Sequence, residues 1–294
     1  MSTLLALLLA VVPASAPPTA VGDRKAGDDK PPLTLEFGVA QSDKATVMYR
    51  KLSPVLEWIQ NDLEPRVGRP VDIHLTIFKT YDEGIDMLVQ GKVDFVRFGA
   101  ASYISADRRN EGIEPIAMEL ENGAKRFLGV IAVKQDSSFK TLADLKGKRF
   151  AFGDQNSTIG RYLAQAELVK AGIHAADLAN YAYLGRHDAV ARAVELGDYD
   201  AGSLAMGTFE ESRAAGKLRA LATFENVTKP WVARAGLDPA VAAGLRASLL
   251  SLKDVAVLKE LKISGFAPAS DEDYALVREG MKHADGFETG TQRR

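Results

Sequence analysis

The sequence predicts an α/β protein made of two consecutive strand–helix–strand–helix–strand units, followed by a mostly helical segment. Short runs of alternating apolar and polar residues, rich in Val, Ile and Phe, recur at 33–40, 71–78 and 93–98. Between them apolar residues return every three or four positions. That switch of period is the mark of parallel strands joined by helical crossovers. The same alternation restarts at Phe150 and runs to about Leu204. A composition of 46% hydrophobic and 26% charged residues is that of a globular chain.

Taken in order, Leu-Thr-Leu-Glu-Phe-Gly-Val-Ala at 33–40 is the first strand, closed by the polar turn Gln41-Ser42-Asp43. A helix over 45–62 places Val47, Leu52, Val55, Leu56 and Ile59 on one side. Pro54 removes a backbone donor, so a kink or a restart after Ser53 is expected. Val-Asp-Ile-His-Leu-Thr-Ile-Phe at 71–78 is the second strand, 81–90 a short helix stopped by Gly91, 93–98 the third strand, and 100–109 another helix. Two strand-like runs, 113–120 and 126–133, flank Glu121-Asn122-Gly123. In the second unit, strands at 150–152, 181–184 and 200–204 alternate with helices at 157–170 and 187–196, and 218–224 is strand-like once more. The last third reads as helices at 239–252, 255–261 and 271–282, then a polar tail from 288.

The 294 residues allow one large domain or two of ordinary size. A formal net charge of -2 offers no general basic surface, so no nucleic-acid partner is expected and any anion site must be local. The absence of cysteine removes disulfides, thiolate metal ligands and a cysteine nucleophile. His74, His174 and His283 lack metal-ligand spacing, and no phosphate-loop or dinucleotide glycine motif occurs, so neither metal nor cofactor is expected. At the N-terminus an apolar run over 4–12 ends in Pro13-Ala14-Ser15-Ala16. It is too short to span a bilayer and resembles the core and cleavage region of a secretory signal. Two features depart from that pattern: no Lys or Arg precedes the run, and Pro17 follows the best small-residue site. Residues 1–20 are therefore expected to be a signal-like segment and 21–32 a disordered lead-in. The rest would be a soluble exported or periplasmic protein.

The stretch 149–162, Arg-Phe-Ala-Phe-Gly-Asp-Gln-Asn-Ser-Thr-Ile-Gly-Arg-Tyr, carries the most chemistry. Ser157 and Thr158 stand where a helix begins after a strand and a polar turn. First-turn N–H groups have no internal partner, and the helix dipole makes that end positive. Two hydroxyls beside them suit a small anion, and they equally suit an N-cap. Gly160 is expected to let the backbone approach a ligand closely. His187 opens a helix at the end of another strand, on the rim where ligands of such sheets bind. It can donate to an oxyanion, cap the helix or satisfy a neighbour. A Ser157–His187–Asp188 triad is not expected: adjacent residues diverge on a helix, and no nucleophile-elbow glycines surround Ser157. At 98–103, Gly99, Ala100 and Ala101 either expose N–H groups or pack tightly, and Tyr81 offers a phenolic donor or a packing surface. Arg161 and Arg186 border the two strongest junctions, as steering charges or as solvated ones.

Six short motifs then occur in a recognisable order. They are Gly91-Lys-Val-Asp94 before Phe98-Gly99; Phe152-Gly153-Asp154-Gln-Asn-Ser157-Thr158-Ile159-Gly160; Gly185-Arg-His187-Asp188; Gly197-Asp-Tyr-Asp200-Ala-Gly; Pro230-Trp231-Val232; and Ser270-Asp271-Glu-Asp-Tyr274. The set resembles the phosphate/phosphite/phosphonate-binding proteins of ABC importers over about residues 33–278. The resemblance implies a two-lobed, Venus-flytrap fold with two strand hinges. One lobe would hold 33–125 plus 224–294, the other 126–223. It also implies that the anion loop falls on Ser157, Thr158, Ile159 and Gly160, the family's histidine on His187, and a ligand-capping aromatic on Tyr81. Ile159 replaces a hydroxyl but keeps its N–H, and Phe127 replaces a pocket tyrosine. The carboxylates that hold an ammonium in aminoalkylphosphonate binders fall on Gly207 and Lys229, which argues against an aminated ligand. Ala101 at the third junction, Phe127 and Lys229 complete the expected ligand-binding set.

The expected function is then a monomeric, non-enzymatic solute-binding protein. It would capture phosphite, phosphate or a simple phosphonate between its lobes and present it to a membrane permease. The alternative is a sensor that shows its closed state to a receptor kinase. An enzyme on the same scaffold would have to use His187 as its base without an activated nucleophile.

Overall fold

The computed structural model describes residues 30–41 and 45–289. The signal-like segment, residues 21–29 of the lead-in, the turn at Ser42 and Asp43 and the tail beyond 289 lie outside the described residues. The first unit runs β1 (Leu33–Ala40), α1 (Ala45–Val67), β2 (Val71–Phe78), α2 (Tyr81–Val89), β3 (Phe95–Arg97) and α3 (Ala100–Asp107). Both β2 and β3 pair with β1 in parallel, as the crossover pattern requires. Next come β4 (Glu114–Leu120) and β5 (Arg126–Lys134). The second unit is β6 (Arg149–Phe152), a π-helical turn (Thr158–Leu163) continuing into α4 (Ala164–Lys170), β7 (Asn180–Tyr183), α5 (His187–Leu196) and β8 (Ala201–Ala205). After it stand α6 (Met206–Ala214), β9 (Leu218–Val227), β10 (Pro230–Ala233), α7 (Pro239–Ser251), α8 (Val255–Leu261), β11 (Gly265–Ala267), α9 (Ala275–Ala284) and α10 (Gly286–Thr289).

These strands form two mixed sheets. One has the order β11-β4-β10-β3-β1-β2 and the other β7-β6-β8-β5-β9. Each unit contributes its strands in the same second–first–third arrangement, so the two sheets repeat one plan. The chain passes between the sheets twice, after β4 and after β9. The first passage turns tightly at Asn122 and Gly123, both left-handed (φ 51° and 79°), a conformation that asparagine and glycine adopt with least strain. The second passage lies against it: the Thr228 N–H and hydroxyl both donate to the Lys125 carbonyl, at 3.0 and 3.2 Å. The last helices, α9 and α10, pack on α4 and the π-helical turn, although β11 just before them belongs to the first sheet.

Three features differ from the sequence expectation. Helix α1 runs unbroken through Pro54 and Pro65. A proline inside a helix costs about 3 kcal/mol. Here one face buries Met48, Leu52, Val55, Leu56, Ile59 and Leu63, each such side chain contributing about 1.5–3 kcal/mol, and burial outweighs the break. The helix expected from Ser157 opens as a π turn, with the Tyr162 N–H reaching the Ser157 carbonyl. The Ser157 carbonyl accepts from the Arg161 N–H as well, and two carbonyls of the turn also bond outside it: Ile159 accepts from the Ser203 hydroxyl at 2.6 Å and Gly160 from the Gly153 N–H at 2.8 Å. Finally, α6, β10 and β11 have no counterpart in the sequence reading.

Strand β10 sits in the middle of the first sheet, antiparallel to β3 on one side and β4 on the other. Its Trp231 is fully buried and packs among Phe37, Phe95 and Phe266. Across it, Arg97 on β3 and Glu119 on β4 form a two-pronged ion pair, and the Trp231 indole N–H also donates to Glu119, at 3.0 Å. Glu119 is 4% exposed. Burial alone would raise its pKa, but the charge and hydrogen bonds of Arg97, the nearby Lys229 and the indole overcome that and hold it below the usual range. Glu119→Gln leaves Arg97 without its counter-charge and should lower the unfolding free energy by about 3–5 kcal/mol in urea denaturation. Because the folded pKa is depressed, the wild-type advantage should be full above the unfolded carboxyl pKa and shrink as pH falls through the folded value.

Candidate functional site

The strand carboxyl ends of both sheets meet around one cavity of about 120 Å³. From the first sheet come the ends of β1 and β3, the start of α3, and Tyr81 at the first position of α2. From the second come Ser157, Thr158 and Ile159 after β6, His187 after β7, Ala205 at the end of β8, and Phe127 on β5. Lys229 enters from the second passage between the sheets. Of the residues expected from sequence, Ser157, Thr158, Ile159, His187, Tyr81, Phe127 and Lys229 therefore lie together.

Gly160 and Ala101 are not in the cavity wall; they set its geometry from behind. A Cβ at Gly160 would lie 2.8 Å from the Gly153 Cα and 2.9 Å from the Ser157 Oγ, so a backbone–backbone contact by itself requires glycine here. The Ala101 N–H donates to the Thr158 Oγ1 at 2.9 Å, joining α3 of one sheet to the π turn of the other.

The two hydroxyls are oriented by what they accept. Ser157 Oγ receives the Gly160 N–H at 2.9 Å, as an N-cap does, and Thr158 Oγ1 receives Ala101. A hydroxyl whose oxygen accepts keeps its own hydrogen to donate. Ser157 and the Tyr81 phenol stand on the same cavity wall, near enough for the hydroxyl to favour the phenolate slightly. Burial first, then the Asp154 charge, pushes the Tyr81 pKa up to about 12, so it stays a donor. A further contact between the two sides runs from the Asn156 amide to Asp82, at 2.8 Å.

His187 is held neutral. Burial and the Lys229 charge push its pKa down to about 4, against the weaker pull of the Ser203 backbone and Asp188. Its Nδ1 is buried and has no hydrogen-bond partner, and no bond joins the ring to Ser157 or Thr158 among the described residues. The Asn226 Oδ1, also on this wall, is likewise buried and unpartnered. Lys229 is pushed down to about 8, chiefly by the charge of Arg97 and then by burial, with Glu119 and Glu121 opposing.

Sequence reasoning missed Arg97 and Asn226. Arg97 ends the strand before the Phe98-Gly99 junction, so the strand-end rule that found Tyr81 and His187 also applied to it. Asn226 lies inside β9, where no local pattern marks it.

Described residues lining this cavity include hydroxyls, a phenol, backbone N–H groups, an imidazole and two cations, and no carboxylate. Such a wall favours an anion. A second cavity of about 510 Å³ opens outward from the first and shares Tyr81, Arg97, Phe127, His187, Ala205 and Lys229 with it.

The His187 ring should titrate near pH 4 in a heteronuclear NMR experiment, and its pKa should rise in Lys229→Gln, which removes a repelling charge. The unfolded imidazole takes its proton near 6.5, so this residue's contribution makes stability fall between about pH 6.5 and 4 and level off below. His187→Asn should flatten that slope; an unchanged slope would contradict the assignment.

The chain matches a model of the phosphonate ABC transporter periplasmic substrate-binding protein over residues 37–274. It is 29% identical over 174 residues to the probable ABC transporter phosphite binding protein PhnD1 of Prochlorococcus marinus, covering 54% of this chain and 58% of that one. It is 25% identical over 194 residues to the phosphate-import protein PhnD of Mycolicibacterium smegmatis, covering 60% and 59%. The matched parts thus span under two thirds of the length of these relatives. The solved structure of PhnD1 from Prochlorococcus marinus in complex with methylphosphonate superposes with a TM-score of 0.73 at 22% identity, covering 87% of this chain and 99% of that one. The fold is that of the periplasmic binding proteins, and the chain belongs to the periplasmic substrate-binding proteins of phosphonate ABC transporters.

Proposed function

We propose that this protein is an exported, monomeric carrier that encloses a small phosphorus oxyanion between lobes built on its two sheets and hands it to an ABC permease. The observation that carries this reading is the carboxylate-free, donor-lined cavity at the meeting of both sheets. Phosphite, phosphate and simple phosphonates are the ligand class. The names of the relatives and the methylphosphonate complex point the same way.

In this mechanism the Ser157 and Thr158 hydroxyls and the first-turn N–H groups of the π turn replace the anion's hydration shell. Each hydrogen bond to a charged oxygen is worth about 1.5–3 kcal/mol. Tyr81 and the start of α3 donate from the opposite side. Neutral His187 donates one N–H without adding charge. Contacts from both sides exist together only in the closed form, so binding shifts the population toward it. The passages at 121–125 and 228–229 are the hinges. A closed, loaded form is what a permease would read. No bond in the ligand is broken.

Ser157→Ala and Thr158→Ala should each weaken methylphosphonate binding by about tenfold or more in calorimetric titration, one lost charged hydrogen bond apiece. Tyr81→Phe should weaken it too, and by a smaller factor if the Ser157 contact is its main role. Wild-type affinity in both hydroxyl variants would overturn the site assignment.

A further inference from the structure

The smaller cavity fits a tetrahedral anion, but the larger one beyond it calls for a separate explanation. Its 510 Å³ is reached past Phe127, Arg97 and Lys229. The two cavities share a wall of Tyr81, Arg97, Phe127, His187, Ala205 and Lys229, so an anion held by Ser157 and Thr158 has further open space on this side. The wall is unfilled there: a methyl group added at Gly207 would meet nothing within 4 Å.

The charges on this wall are unevenly matched. Arg97 is engaged by Glu119 in a two-pronged pair, and Glu119 is further used by Trp231. Arg186 is bound in the same way by Asp188. Lys229 is different: among the described residues its ammonium makes no hydrogen bond or ion pair; the like charge of Arg97 acts on it most strongly, Glu119 and Glu121 pull the other way, and Lys51 adds a weaker repulsion. Lys51 and Lys262 line the outer cavity and not the inner one. Like charges gathered on one wall raise the energy of the free cleft, and an anion placed among them reverses the sign of that interaction. The cavity also carries Glu121, Glu211 and Glu260, which define the rival possibility of a cationic arm.

We propose that the site also takes, and binds more tightly, a phosphorus oxyanion whose organic arm bears a second anionic group, held by Lys229 with Lys51 in the outer cavity. This rests on the reading of the inner cavity as a phosphorus-oxyanion pocket. The substrate class is a phosphonate or phosphate monoester whose short arm ends in a carboxylate or a second phosphoryl group. Lys229, on the boundary between the cavities, meets the arm as it leaves the pocket.

The test is a calorimetric comparison of methylphosphonate, 3-phosphonopropionate, its uncharged shape analogue 3-methylbutylphosphonate, and 2-aminoethylphosphonate, on wild type and Lys229→Gln. The carboxylated ligand should bind wild type about tenfold or more tighter than its uncharged analogue, and Lys229→Gln should bring that ratio close to one. Lys51→Gln should reduce the ratio in part. A wild-type ratio near one, or tightest binding of the aminated ligand, would overturn the second-anion site while methylphosphonate binding kept the inner pocket standing. An equal loss for both arms in Lys229→Gln, with their ratio unchanged, would also overturn it, because Lys229 would then serve the phosphoryl group alone. Failure of methylphosphonate itself to bind wild type would overturn both readings.

Discussion

The close approach of Gly153 and Gly160 decides where the donors of the site stand. No side chain fits between these two backbones. The Gly153 N–H takes the Gly160 carbonyl, and the Ser203 hydroxyl takes the neighbouring one. Beside these contacts the first turn of the helix is a π turn. That turn puts the Ser157 and Thr158 hydroxyls on the cavity wall while each accepts a backbone N–H. The cap on Ser157 is thus compatible with the proposed anion contact: the cap fixes the oxygen, and the hydrogen is left to donate.

Around that turn the two sheets are tied by short polar contacts. Thr158 meets Ala101, and Asn156 meets Asp82. Behind the cavity the chain passes from sheet to sheet in two adjacent segments, anchored in the first sheet by β10 and the Arg97–Glu119–Trp231 cluster. The cluster thereby holds Lys229 at a fixed place beside the cavity. Stability and site geometry meet in the same few residues. A buried ion pair is a weak source of stability by itself; here it also flanks β10, the strand that follows the second passage.

Much of this was legible in the sequence because the signals were local. Alternation found β1 and β2 to the residue, and strand-to-helix junctions found Tyr81, Ser157, Thr158 and His187. What was not legible depends on partners distant in sequence. Strand β10 has four residues and begins with proline, so no period marks it, yet two antiparallel neighbours make it central. Pro54 looked like a break because its cost is local, whereas the burial that offsets it is tertiary. That Gly160 packs against Gly153, seven residues earlier, could not be seen in the sequence. Asn226 alternates along β9 like any strand residue, and only the cavity gives it a role.

The most direct measurement is calorimetric titration of the ligand-stripped protein with phosphite, phosphate and methylphosphonate, with sulfate as the comparison. One-to-one binding of a phosphorus oxyanion with a dissociation constant of about 1 μM or tighter, and weaker binding of sulfate, is the predicted result. Absence of binding by all three phosphorus oxyanions would contradict the assignment of the donor-lined cavity as their site.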